Sequence, residues 1–248
     1  MGSLSQSAAV RPLPAITGRN GLIDRYFYFS MSLLMAAIVV WGFSHTIDRN
    51  LLHPTVPPPL ILWIHGAVFS GWVAFFIFQS ALVRTHNVRW HRVSGWFGAG
   101  LGAAMAPLGV ATAMVMTRFE TYRLHEVGRS AFMIVPMYAM LEFATILTLA
   151  VCWRKKPELH RRLIFIATCV LLGAAFGRFP YLYQHHAFFA GIDLLILLGV
   201  TRDLLVNRRV HGVYLTVLPL LMATQIFVVY TWLSGAGWWL RIAHAMLG

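Results

Sequence analysis

Seven long apolar stretches constrain this chain more than any motif in it. A helix needs about 20 residues to cross the hydrocarbon of a bilayer. Stretches at roughly 26–47, 60–83, 92–117, 130–152, 161–179, 187–205 and 211–233 meet that length, with ends placed to about 2–4 residues. The fifth and sixth are the least sharply divided, because Arg178, Pro180, His185 and His186 fall between them; a cut into six spans is the alternative. The fold class that follows is all-α, a polytopic transmembrane bundle of seven spans forming one domain over residues 26–248. With 58% hydrophobic and only 11% charged residues, the aqueous segments are too short for a separate soluble domain. Residues 1–25 carry Pro12, Pro14, Gly18 and Gly21 and lack the basic-apolar-small order of a cleaved signal, so they read as a cytoplasmic tail.

The net charge of +12 is a topological signal rather than a nucleic-acid one in so apolar a chain. Of the 20 Lys and Arg residues, 14 fall in the tail and the second, fourth and sixth connections, and 6 fall on the other side. Positive loops stay in the cytoplasm, which places the N-terminus inside and the C-terminus outside. Small residues recur every four positions at Gly66, Ser70 and Ala74, at Gly98 and Gly102, and at Gly173 and Gly177. That spacing predicts close helix contacts, which matter where lipid supplies no hydrophobic drive for association. Cys152 and Cys169 lie in or at the end of spans and read as buried small apolar thiols rather than a disulfide framework.

An ionisable group at membrane depth costs about 2.5–3.5 kcal/mol, so each calls for a partner or a task. Glu142 lies near the middle of the fourth span with Tyr138 and Thr145 on its face, and His65, Trp72 and Gln79 recur every seven residues in the second. Asp193 lies in the outer half of the sixth span and Arg178 closes the fifth. A pair between Arg178 and Asp193 or Glu142 is the expected structural outcome. Eleven histidines against eight acids suggest metal chemistry, since neutral imidazole is the commonest metal ligand. One region is built around His65 with His125, His185 or His186. The other joins His91, His160 and His211, which each begin a span at the cytoplasmic face in the phrases WHRV, ELHRR and RRVHG. Orientation alone accounts for basic residues at these ends, where their apolar parts pack at the interface; the alternatives are metal ligation and, because a helix N-terminus already carries partial positive charge, an anionic partner: a lipid phosphate, a phosphorylated substrate, a haem propionate or Asp203.

The phrases carry a resemblance. Gly42-Phe43, His65, Gln79, His91-Arg92 with Gly95, Pro157-Glu158 followed by His160, Arg161, Arg162 and Leu163, then Arg178, Asp193, Asp203 and Val210-His211 resemble a family of small bacterial multi-pass integral membrane proteins. His65 and the HRxxG phrase also look like a broader group of membrane proteins compared with haem-binding bundles, a likeness of fold only. The resemblance implies the bacterial cytoplasmic membrane and carries no activity with it.

The functional expectation is an intramembrane metal or haem site in redox chemistry on a lipophilic substrate or electron carrier. His65, His91, His160 and His211 would bind iron, copper, zinc or haem b, His65, Arg92 and Arg162 would hold the cofactor, and Glu142, Asp193 and Arg178 would be the catalytic groups. One alternative is a metal-free lyase or cyclase for an isoprenoid-like substrate, with a buried carboxylic acid as proton donor and aromatics lining its pocket. Another is a transporter or an accessory subunit of a larger membrane complex. The expected partners are the bilayer, a lipophilic small molecule and other membrane subunits, with no nucleic acid.

Overall fold

The computed structural model describes residues 19–248, with side chains from residue 21 onward; the earlier part of the expected tail lies outside the described residues. Helix α1 runs Arg19–Ser44, so the chain is already helical through the last residues assigned to the tail. Asp24 and Arg25, which read as aqueous residues, lie inside this helix, whose first turns extend past the apolar run. A π-helical turn, Asp48–Leu52, and the run Pro57 to Pro59 follow. Proline holds its own backbone and that of its predecessor away from a continuing helix, and α2, Leu60–Arg84, starts directly after the last of the three. Helix α3, Val88–Tyr122, has 35 residues against the 26 expected. At 1.5 Å per residue it is about 52 Å long, more than a bilayer core requires, so both charged ends project beyond it.

The second half is more broken than the apolar pattern suggests. A short α4, Arg129–Phe132, leads into α5, Ile134–Cys152. The fifth stretch becomes α6, Pro157–Leu171, and a single turn α7, Gly173–Phe176. Phe179 is extended ahead of Pro180, as a residue before proline prefers, and Pro180 then opens the short α8, Pro180–Gln184. Helices α9, Phe188–Asn207, and α10, Gly212–Leu233, complete the long elements. A last helix, α11, Gly237–Leu247, was not anticipated. It buries Trp239, Ala243 and Leu247 on one face, and the Trp239 indole N–H points at the Ser130 and Ala131 carbonyls, 3.2 and 3.1 Å away.

Six helical segments are long and apolar enough to cross a membrane: Gly21–Ser44, Leu60–Arg84, Val88–Tyr122, Arg129–Cys152, Pro157–Phe176 and Gly212–Leu233. Helix α9 is as long as a span but holds Asp193, Arg202 and Asp203 within it. It nonetheless passes from one end of the bundle to the other. Phe188 lies against Trp232 at the end of α10, while Asp203 meets Arg162 near the start of α6.

Packing follows some of the glycines and not others. A methyl group on Gly98 would meet Phe75, and one on Gly102 would meet Leu147 and Trp72, so α3 uses both for close approach. Gly66 has open space around it, and Ser70 and Ala74 are exposed, so the small-residue row of α2 is not a packing face. The buried side of α2 is the Trp72 and Phe76 side, with Trp72 set edge-on to Phe143 of α5.

The helix ends explain several histidines. His86 and His186 have φ of 61° and 53°, in the left-handed region where glycine usually stands. After α2, Asn87 N–H reaches back to the Leu82 carbonyl and His86 N–H to Val83; after α8, Ala187 and His186 repeat the pattern on Leu182 and Tyr183. Both are Schellman closures, which satisfy the last free carbonyls of a helix. Left-handed backbone costs a non-glycine residue about 1–2 kcal/mol. His86→Gly is therefore expected to raise the thermal unfolding temperature of the purified protein; an unchanged or lower midpoint would contradict this account.

Candidate functional site

Two polar assemblies occupy the bundle. The first lies between α5, α9 and α10. Tyr138 and Glu142 are one turn apart on α5, and Thr224 of α10 faces both, its hydroxyl 2.7 Å from the Tyr138 oxygen and 3.4 Å from Glu142 Oε1. The Tyr138 hydroxyl can also reach the Leu221 carbonyl, at 3.4 Å. On α9, Asp193 Oδ1 accepts from Gln225 Nε2 at 3.2 Å. Glu142 and Asp193 are thus both served by adjacent residues of α10, Thr224 and Gln225. None of the ion pairs among the described residues includes either carboxyl. Glu142 Oε2 is buried with no hydrogen-bond partner. Tyr138, Glu142, Asp193 and Thr224 are all half-buried, so the group borders the outside of the bundle rather than a sealed core. Thr145, expected on the same face, is exposed and bonds back to the Leu141 carbonyl.

The second assembly ties the basic end together. Arg162 grips Asp203 with two parallel bonds, Nε to Oδ2 at 2.8 Å and an NH2 nitrogen to Oδ1 at 2.6 Å. Its remaining nitrogen donates to the backbone carbonyl and the carboxylate of Glu158, both at 2.7 Å. Arg202 donates to Asp203 Oδ1 at 2.7 Å and pairs with Asp24 of α1, while Arg161 holds Glu158 at 2.7 Å. Asp203 is fully buried, and Arg162 and Arg202 are each 1% exposed. Bidentate, charge-assisted bonds of this kind are what make three guanidiniums and three carboxylates tolerable here. Tyr28 lies under Arg161 and Arg202, each 5.6 Å from its ring centre.

His211 belongs to this second assembly. Its N–H approaches Asp203 Oδ2 at 3.3 Å, and its Nδ1 accepts from the Val213 N–H at 3.2 Å, capping α10. Burial, reinforced by the nearby Arg162 guanidinium, holds its imidazole below the usual histidine range, which suits the neutral form the cap requires.

The expected site residues are thus divided. His91 and His160 meet, with ring centres 6.3 Å apart; His160 Nδ1 bonds to the Ala150 carbonyl at 2.9 Å, and His91 Nδ1 is buried without a partner. His211 does not join them in a ligand set: no group of three His, Cys, Asp or Glu among the described residues is placed to hold a metal ion. His65 stacks on Phe69 at 3.9 Å, His185 bonds to the Tyr181 carbonyl, and His186 lies against Trp232. Arg92 is exposed and Arg162 is consumed by its ion pair. Arg178 pairs with neither Asp193 nor Glu142. It follows α7 where the chain turns toward α1, so its guanidinium covers Phe43 at 4.0 Å, Nε donates to Thr46 Oγ1 at 3.0 Å, and another nitrogen bonds to the Ala174 carbonyl. No protein-family model matches the chain, and no curated protein or solved structure is significantly similar to it.

Sequence reasoning missed Thr224 and Gln225, although two adjacent polar residues in the middle of an apolar helix were a usable signal. It also missed Asp24 and Arg202. Asp24 was assigned to the tail, and nothing local in the sequence brings it to α9.

Proposed function

We propose that this is a seven-span protein of the bacterial cytoplasmic membrane, N-terminus inside and C-terminus outside, whose working site is the Glu142–Asp193 carboxyl pair. In this reading the pair is an intramembrane acid that exchanges protons with a lipophilic substrate arriving from the bilayer. The observation that carries it is Glu142 Oε2, buried without a partner in a two-carboxyl group that has no cation. A carboxylate left in that state bears the full cost of burial, and holding a proton removes the charge. Tyr138 and Thr224 then form a short hydroxyl relay to Glu142, and Gln225 orients Asp193. The half-burial of the group favours a substrate that approaches sideways through lipid. The seventh span in this reading is α9, whose three charges are all bonded to groups on its neighbours or its own helix.

A hydrophobic carbodiimide tests the proposal, because it reaches carboxyls through lipid and modifies them only when they are protonated. With the protein in lipid nanodiscs, dicyclohexylcarbodiimide is expected to label Glu142, faster as pH falls, with the adduct located by peptide mass spectrometry. Glu142→Gln should remove that adduct, and a water-soluble carbodiimide should not form it. An unlabelled Glu142 in folded protein, or equal labelling by both reagents, would overturn the reading.

A second reading, metal-dependent redox chemistry, is favoured only by the approach of His91 and His160. A visible spectrum with elemental analysis of one pure sample tests it: stoichiometric iron, copper or zinc that is lost in His91→Ala supports it, and metal-free protein removes it.

A further inference from the structure

We infer that the basic end of the bundle holds a bound anionic phospholipid, its headgroup seated between the turn joining α5 to α6 and the first turns of α3. The inference uses the inside placement of this end and is independent of the chemistry proposed for Glu142. It starts from which charges are already spoken for. The acids at this end are Asp24, Glu158 and Asp203, and all three are taken by Arg161, Arg162 and Arg202. Arg89, Arg92, Arg154, Lys155 and Lys156 are exposed, and none of the ion pairs among the described residues includes them.

These cations are not spread evenly around the rim. The Arg154 guanidinium lies 5.0 Å from the Trp96 ring centre, so the α5–α6 turn leans on α3 and brings the Arg154 to Lys156 run beside Arg89 and Arg92. Next to Arg92 on α3, His91 lies against His160, and its Nδ1 is buried with no partner, a polar atom that the protein itself does not satisfy. Trp96, 61% exposed, lies one turn after Arg92 on α3, and Trp153 adjoins Arg154. Indole rings prefer the headgroup level, and juxtamembrane Lys and Arg clusters attract anionic lipid. A phosphate bearing two acyl chains meets both demands: the phosphate answers the five cations, and the chains cover the tryptophan flank. A free phosphate answers only the first.

The test compares thermal unfolding of the full chain in neutral detergent with added phosphatidylglycerol, phosphatidylcholine or inorganic phosphate. Phosphatidylglycerol is expected to raise the unfolding temperature, and the other two to leave it nearly unchanged. The triple variant Arg154→Gln, Lys155→Gln, Lys156→Gln should lose more than half of that rise, while Arg123→Gln at the opposite end keeps it. Native mass spectrometry should find phosphatidylglycerol retained by the wild type and not by the triple variant, a readout that stands even if the variant is less stable. Equal shifts with the two lipids, an equal shift with inorganic phosphate, or a full shift in the triple variant would overturn the proposal.

Discussion

Asp203→Ala is expected to cost the fold about 3–5 kcal/mol, the range for breaking a buried ion pair by removing one partner. The magnitude follows from what the carboxylate serves. It accepts two bonds from Arg162 and one from Arg202, and Asn207 and the His211 N–H also approach it. With Asp203 gone, two fully buried guanidiniums lie close together, and only Glu158 and Asp24 remain as counter-charges. Four helices lose a common anchor: α1 through Asp24, α6 through Arg162, α9 itself and α10 through its cap. Glu158→Gln makes the informative contrast. Its side chain is 55% exposed, water screens its pairs with Arg161 and Arg162, and its removal should cost about 1 kcal/mol or less. The measurement is reversible unfolding in mixed micelles, with monodispersity on gel filtration as a second readout. If Asp203→Ala unfolds at the same denaturant concentration as Glu158→Gln, the assembly is not an anchor. A compensated variant, Arg162→Met with Arg202→Met and Asp203→Leu, should recover most of the loss, because apolar groups of similar volume replace such clusters at little cost.

The span pattern was legible because bilayer thickness fixes helix length and apolar length is visible in one dimension. Six of the seven expected stretches coincide with helices apolar enough to cross. The partial failures have a common cause, which is that polar groups settled by long-range contacts look like ends or tails when read locally. Asp24 looked aqueous because its partner Arg202 is far away in sequence. Asp203 was rightly named among the anions that could answer the His-Arg phrases, because a helix start rich in cations has few other remedies. Which phrases it answers was not legible: it serves Arg162 and His211 but not Arg92, whose phrase on α3 has no acid beside it. For Glu142 and Asp193 the sequence raised the question, and only the packing of α10 between α5 and α9 supplied Thr224 and Gln225. Two of the histidines, His86 and His186, close helix ends where glycine normally does, a backbone role that residue type does not announce.

Gly42→Ala is expected to be the most damaging single-methyl change where α1 meets α7, at about 1–3 kcal/mol. A Cβ on Gly42 would lie 2.6 Å from the Ala175 carbonyl oxygen and 3.0 Å from the Ala175 C and Cα atoms. All three are backbone atoms, so no rotamer change relieves the clash and α1 must move away from α7. The movement would separate Phe43 and Thr46 from Arg178, which depends on them for its cation–π contact and for a side-chain acceptor. Gly102→Ala tests the same idea with softer neighbours. Its added methyl would meet the Leu147 Cδ2 atom at 2.3 Å, the far end of a flexible side chain that can turn aside, and the Trp72 ring behind it at 3.1 Å. Gly66→Ala has nothing within 4 Å and should be neutral or stabilising by up to about 1 kcal/mol, the helix-propensity gain of alanine over glycine. The order Gly42 worst, Gly102 intermediate and Gly66 harmless is the prediction, read from unfolding midpoints in one detergent. Since Gly66 shares its four-residue spacing with glycines that do pack, an equal loss at Gly66 and Gly42 would mean that α2 turns its small-residue row inward, and the packing of α2 against the bundle would have to be redrawn.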